Sequence, residues 1–277
     1  MKIGFHLPIS KGFEWTHREA KRLGCEVVQI FVKNPRSWTE KRWSDEGREL
    51  FSRLLGDLPV VAHLSYLPNP ARIDEEPRNL KALLHEADLC NQLRIDTLVI
   101  HCGSRKDRQR GIEKVAESVD RILDTCGISI MLENAAGQGD SIGRSIPELG
   151  DIYRRISQKE RVSLCIDTAH VFEAGYNVGS RTAWKRIITE LEEHVGAERI
   201  GFFHLNDSKT PLGSRVDRHW HIGRGKIGLS AFRFILNEKK FAHLGGVMET
   251  PKMGNMDDVN MQVMRSLLPP LVPRPFS

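Results

Sequence analysis

Six short apolar runs in this chain end in a side chain that can bind a metal ion: His63, His101, Glu133, Asp167, His204 and Glu249. His6 ends another such run. Just past one of them, Asp167-Thr-Ala-His170 sets a carboxylate and an imidazole three residues apart. The first turn of a helix would aim both at neighbouring points. Asp217-Arg-His219 places two more donors at i and i+2, which point the same way from extended backbone. Taken alone, a histidine at a strand end is more often a satisfied polar residue than a ligand. The set is harder to explain that way. Glu133, Asp167 and Glu249, if gathered together, would repel one another unless cations lay between them. Nitrogen and oxygen donors without a thiolate suit about one to three zinc or manganese ions.

Residues so far apart in sequence meet only if the elements that carry them converge. The apolar runs span 2–6, 26–32, 58–63, 97–101, 128–133, 162–167, 199–204 and 245–249. Most are rich in Val, Ile, Leu or Phe and too short for helices. They suit strands buried on both faces, as in a parallel sheet. Helical spacing fills the segments between them. Ala87, Cys90 and Leu93 recur on one stripe, as do Ile112, Val115, Val119, Ile122 and Leu123. Gly24, Gly56, Gly127 and Gly196 fall where helices would stop. Strand and helix alternating through eight runs predict an α/β fold, a single (β/α)8 barrel over residues 1–268, with its site at the C-terminal ends of the strands. The Pro-rich stretch 269–277 is expected to form an extended tail.

A chain of 277 residues matches the roughly 250 that such a barrel needs. At 40% hydrophobic and 28% charged residues, disordered, collagen-like and coiled-coil classes are excluded. No apolar run approaches the roughly 18 residues of a membrane span, and the N-terminus lacks a secretory h-region, so a cytoplasmic location is expected. The net charge of +5 permits a polyanionic partner without requiring one. Cys25, Cys90, Cys102, Cys126 and Cys165 form no C-x-x-C pair and read as reduced, mostly buried thiols.

The segments LENAAGQG, CIDTAHVFEAGYN and HLNDSKTPLGSRVDRHWHIGRGKIG, with the weaker FVKNPRSW, HLSYLPNPA and VIHCGS, resemble the endonuclease IV family of apurinic/apyrimidinic (AP) endonucleases. The resemblance runs from GFHLPI to VMET, nearly the whole chain. It implies an eight-stranded α/β barrel holding three Zn2+ ions, with Mn2+ admissible at some positions. By that resemblance His63, His101 and Glu133 hold the first ion. Glu133 bridges to a second, completed by Asp167, His204 and Glu249. His170, Asp217 and His219 hold the third. His221 is an extra histidine that the VDRH register sets aside. The implied reaction is hydrolysis of double-stranded DNA on the 5′ side of an abasic site, in base excision repair. It leaves a 3′-hydroxyl and a 5′-deoxyribose phosphate, with Glu133 and Glu249 as the catalytic pair that orients the attacking water. A monomer suffices for a nick.

Lys33, Arg36, Tyr66, Leu67, Lys209, Arg215, Arg218 and Arg224 are the expected DNA contacts. Arg36, Tyr66 and Leu67 resemble the family's residues that penetrate the duplex at the lesion. The chain departs from the family at Leu64, at Trp220 and at Cys102, which stands where a proline is usual and is read as packing. Two rival functions share these residues. A single-metal sugar isomerase or epimerase of the xylose isomerase-like barrels needs only a quartet such as Glu133, Asp167, His204 and Glu249. A non-catalytic DNA-damage binder would need no intact ligand set.

Overall fold

The computed structural model describes residues 1–268, so the expected tail at 269–277 lies outside the described residues. In chain order the strands and helices are β1 (Lys2–His6), α1 (Phe13–Leu23), β2 (Val27–Phe31), α2 (Asp45–Leu55), β3 (Val60–His63), α3 (Pro77–Leu93), β4 (Thr97–His101), α4 (Arg108–Thr125), β5 (Ser129–Glu133), α5 (Ile146–Arg155), β6 (Val162–Asp167), α6 (Thr168–Glu173), α7 (Arg181–His194), β7 (Ile200–His204), β8 (Asp207–Ser208), β9 (His219–Trp220), α8 (Leu229–Asn237), β10 (Gly245–Met248) and α9 (Met256–Ser266). Strands β1 to β7 and β10 close into one parallel barrel in the order β1-β10-β7-β6-β5-β4-β3-β2. This is the (β/α)8 fold that the run count predicts. Strands β8 and β9 pair separately as a small antiparallel ribbon, which the sequence reading did not foresee.

Local chemistry sets the boundaries. Ser44, Asp107, Ser145 and Ser180 cap α2, α4, α5 and α7, each accepting a backbone N–H of the first turn. Gly24 ends α1 in the left-handed conformation (φ 67°), which glycine adopts at little cost.

The core has two parts, and strand alternation separates them. A large cluster fills the space between strands and helices. A small one, Val27, Val61, Val99, Cys165, Phe202 and Val247 with Met131 packed against it, fills the barrel interior. It draws one side chain from each of seven strands. The first strand contributes Gly4 instead, where a Cβ would fall 1.6 Å from the Val27 carbonyl oxygen.

Candidate metal centre

Side chains on a strand return to the same face every second residue. Two residues beyond the apolar layer just described lie Gln29, His63, His101, Glu133, Asp167, His204 and Glu249, and two beyond Gly4 lies His6. The C-terminal mouth of the barrel is therefore floored by four imidazoles, three carboxylates and one amide. Register levels them. His101 lies opposite Glu133 on the β4–β5 pair, and Asp167 lies opposite His204 on β6–β7.

Donor atoms crowd together in three overlapping groups: His63, Glu133 and His204; Asp167, His170 and His219; and Glu133, Asp167, His204 and Glu249. Glu133 sits at the centre. One of its oxygens is 3.0 Å from His63 Nε2 and 3.4 Å from His101 Nδ1. The other is 2.9 Å from His204 Nδ1 and 3.3 Å from His170 Nδ1. The third corner uses α6 and the ribbon. Asp167 caps α6 by accepting His170 N–H at 2.9 Å, which aims His170 across the mouth. His170 Nε2, His219 Nε2 and the Asp217 carboxylate then stand 3.3–3.6 Å apart. Tetrahedral zinc with bonds near 2.05 Å has donor–donor edges of about 3.3 Å.

The second ring nitrogens decide which atoms face inward. His63 Nδ1–H donates to Leu64 O at 2.7 Å, His170 Nδ1–H to Asn134 O at 2.9 Å, and His204 Nε2–H to Gln29 Oε1 at 2.8 Å. Each pairing leaves the other nitrogen as a lone pair aimed into the site. His219 Nδ1–H faces Glu249 O at 3.4 Å, so His170 and His219 bring two such nitrogens to 3.3 Å of each other. Lone pairs so placed repel unless a cation or proton lies between them. The donor set thus fits divalent ions, with oxygen and imidazole ligands and no thiolate.

Without cations, protons take up the role. Burial disfavours the Glu133 carboxylate, but His101, His204 and His170 outweigh it and hold Glu133 well below the usual range. Glu249 is depressed in the same way by His204, His6 and His63. Burial lowers the His63 and His170 imidazoles, yet Glu133 raises the first, and Asp167 and Asp217 raise the second well above its ordinary value. At His6 and His101 burial prevails and the shift is downward.

The sequence and solved-structure relatives agree on what carries this arrangement. Residues 17–267 match the family described as xylose isomerase-like TIM barrel. A probable endonuclease 4 from Chloroflexus aggregans is 38% identical, covering 96% of this chain and 98% of the relative. One from Persephonella marina is 36% identical, covering 97% of each. Endonuclease IV from Thermus thermophilus superposes with a TM-score of 0.85 at 33% identity, over 96% of this chain and 98% of that one. The chain belongs to the endonuclease IV family. A D-tagatose 3-epimerase-like protein, at 17% identity and a TM-score of 0.72, shares the fold alone.

In this endonuclease IV family member the mouth opens into a cavity of about 730 Å³, whose walls include Arg36, Tyr66 and Arg218 beside the metal-ligand candidates. Tyr66 is 59% exposed and packs edge-on against Phe31. Leu67 is half-buried, and Arg36, Arg215, Arg218 and Arg224 are exposed. Exposed Lys209 lies over the Trp220 ring at 4.4 Å, so the Trp220 departure gives the ribbon a cation–π contact. Lys33 departs from its expected surface position. It is 5% exposed, and its charge acts on the buried Glu86 of α3. Cys102 packs in the outer core, with its thiol 3.8 Å from Glu133 O, as expected of a residue one step out of phase with His101. His221 is buried and bonded to Asn260 Nδ2, away from the ligands.

Three residues outside the expected ligand set hold it in place. Gln29 Nε2 donates to Glu249 Oε1 at 2.7 Å and to His6 Nδ1 at 2.9 Å, while its oxygen accepts from His204. Asn134 accepts the Asp167 N–H, and Asn206 donates to Asp167 Oδ2 and accepts the Glu249 N–H, each at 2.7 Å. Gln29 carried one readable signal: it is the only uncharged polar residue in the run 26–32.

Proposed function

We propose that the protein is a zinc-dependent AP endonuclease, hydrolysing the phosphodiester 5′ to an abasic site in double-stranded DNA and leaving a 3′-hydroxyl and a 5′-deoxyribose phosphate. The observation that carries the reading is the His170–His219–Asp217 corner, which a sugar epimerase using one metal on Glu133, Asp167, His204 and Glu249 does not need. Three zinc ions would be held by His63, His101 and Glu133; by Glu133, Asp167, His204 and Glu249; and by His170, Asp217 and His219. Mn2+ could replace zinc at some of these positions. Bound there, such ions lower the pKa of water toward about 7 and clamp the phosphate oxygens.

The chain's own residues do the rest. Glu133 and Glu249 orient the attacking water from the floor of the mouth. Arg36, Tyr66 and Leu67 enter the duplex at the lesion, where a missing base has already reduced the stacking to be broken. Lys209, Arg215 and Arg218 meet backbone phosphates. The buried Lys33 is left out of that set. The protein acts as a monomer in the cytoplasm, one site making one nick in base excision repair.

Elemental analysis beside a nicking assay tests this. Near three metals per chain, with abasic duplex cut and intact duplex spared until chelator stops the reaction, is the expected result. One metal per chain, or cutting indifferent to chelator, would overturn it.

A further inference from the structure

A second cleft opens on the same rim, beside the loops that follow β5 and α6. It measures about 330 Å³ and is walled by Arg144, Ser145, Tyr176 and Arg215, with Gly137 and Gly175 at its edge. No carboxylate lines it. Arg144 is half-buried and Arg215 exposed, and among the described residues neither guanidinium has an ion-pair or hydrogen-bond partner. A guanidinium with no protein acceptor keeps all its N–H donors free for a ligand.

Both arginine stems flank one glycine. A Cβ at Gly137 would lie 3.4 Å from Arg215 Cγ and 3.7 Å from Arg144 Cβ. Arg215 also holds φ at 54°, a left-handed conformation that non-glycine residues adopt at some cost. Its backbone N–H is tied to Glu173 O at 2.9 Å, which keeps it there. Tyr176 makes a firm floor, since its hydroxyl accepts from Ile146 N–H and donates to Glu190, each at 3.1 Å. The cleft adjoins the metal corner, because the neighbouring Gln138 Oε1 accepts the Asp217 N–H at 3.3 Å.

We propose that Arg144 and Arg215 form a second phosphate site, which receives a backbone phosphate of the DNA strand beyond the one being cut. The inference rests on DNA being the substrate. No carboxylate is on the wall, those of Glu148 and Glu190 lying behind it on the Arg144 N–H and the Tyr176 hydroxyl, so two unpaired guanidiniums face the cleft with the bidentate geometry that phosphate oxygens match.

The test measures KM for nicking of an abasic duplex across a salt series, with metal-loaded protein. Arg144→Ala is expected to raise KM about tenfold at low salt and to flatten the log–log salt slope by about one. Arg144→Lys restores the slope. If the alanine variant fails to fold, Arg144→Gln, which keeps much of the stem, carries the same expectation. A single neutral methylphosphonate is then walked along both strands. At one position away from the scissile bond it should weaken the wild type by the same factor and the alanine variant no further, as expected of coupled partners. A KM change below about twofold with an unchanged slope, or losses that add at every position, overturns the site. Failure of the wild type to nick the abasic duplex at all would instead overturn the underlying reading.

Discussion

Replacing Gln29 with leucine keeps its approximate volume and removes its amide. Three contacts vanish together: the donor to Glu249 Oε1 at 2.7 Å, the donor to His6 at 2.9 Å, and the acceptor for His204 Nε2–H at 2.8 Å. The bond to a carboxylate is charge-assisted and worth about 1.5–3 kcal/mol, roughly 10- to 150-fold in an equilibrium. Loss of the acceptor also frees the His204 ring to switch tautomer and turn an N–H toward the site. Residues that orient metal ligands typically change affinity or activity by about 10- to 100-fold, the same range. Gln29→Leu should therefore surrender metal at a chelator concentration at least tenfold lower than the wild type needs, and should nick correspondingly slower. Gln29→Glu keeps an acceptor for His204 but sets a negative charge against Glu249, so it should also lose metal while keeping the His204 orientation. Thermal unfolding under saturating metal checks that the fold persists. If Gln29→Leu resists chelator and nicks like the wild type, the amide does not set the ligand geometry and the layer argument fails.

Removing metal should destabilise the protein. Each ion at a thousandfold excess over its dissociation constant adds about 4 kcal/mol, so loss of even one site should lower Tm by roughly 8–16 °C for a chain this long, read by thermal unfolding with and without chelator. Glu133→Ala takes the central carboxylate from among four imidazoles and should lower nicking at least a hundredfold, while weak, salt-sensitive DNA binding remains; undiminished nicking would remove Glu133 from the reaction. In the metal-free protein, the raised His63 and His170 contribute stability below their ordinary 6.5 and lose it as pH rises through their raised values. The depressed Glu133 and Glu249 contribute above their ordinary 4.5 and lose it as pH falls through their lowered values. Metal displaces those imidazole protons, so its stabilising increment should grow with pH up to the raised values of His63 and His170 and level off above them, and a flat increment between about pH 6 and 8 would contradict the protonation pattern.

The barrel was legible because its strands are buried on both faces and read as plain apolar runs, and because a parallel barrel must present the C-terminal ends of all its strands on one rim. His63, His101, Glu133, Asp167, His204 and Glu249 stood out there because nothing local explains such residue types. Gln29 went unassigned for two physical reasons. An amide is not a ligand type, and its partners lie 175 and 220 positions away, on β7 and just past β10. The β8–β9 ribbon escaped because two-residue strands have no period to read. The burial of Lys33 could not be foreseen, since it depends on tertiary packing that also brings its charge to bear on Glu86 of α3. Nothing in its local sequence singles out Asp207. Its carboxylate accepts the backbone N–H groups of Gly223, Gly225 and Ile227 and so fastens the loop that follows the ribbon, a role visible only when the chain has folded back on itself.

One irregularity in the barrel serves the site. On the β6–β7 pair Leu164 faces Ile200, but Cys165 faces Phe202, so Gly201 is the extra residue of a bulge. Regular pairing from Leu164 onward would set Asp167 level with Phe203, whose side chain points to the outer core, and would turn His204 out of step. The bulge restores phase, putting Cys165 and Phe202 together in the inner core and Asp167 opposite His204 above them. Glycine suits the position because a Cβ there would meet Ser163 Oγ at 2.6 Å and Met131 Cε at 3.0 Å. Gly201→Val should therefore overpack the strand at a cost of about 1–3 kcal/mol. The strain falls on the stretches of β5, β6 and β7 that lead to Glu133, Asp167 and His204, so the variant should also bind less metal at a given free concentration, beyond what its lowered Tm alone explains. Unchanged Tm and metal content in Gly201→Val would mean that the bulge is incidental, and that some other feature levels the two ligands.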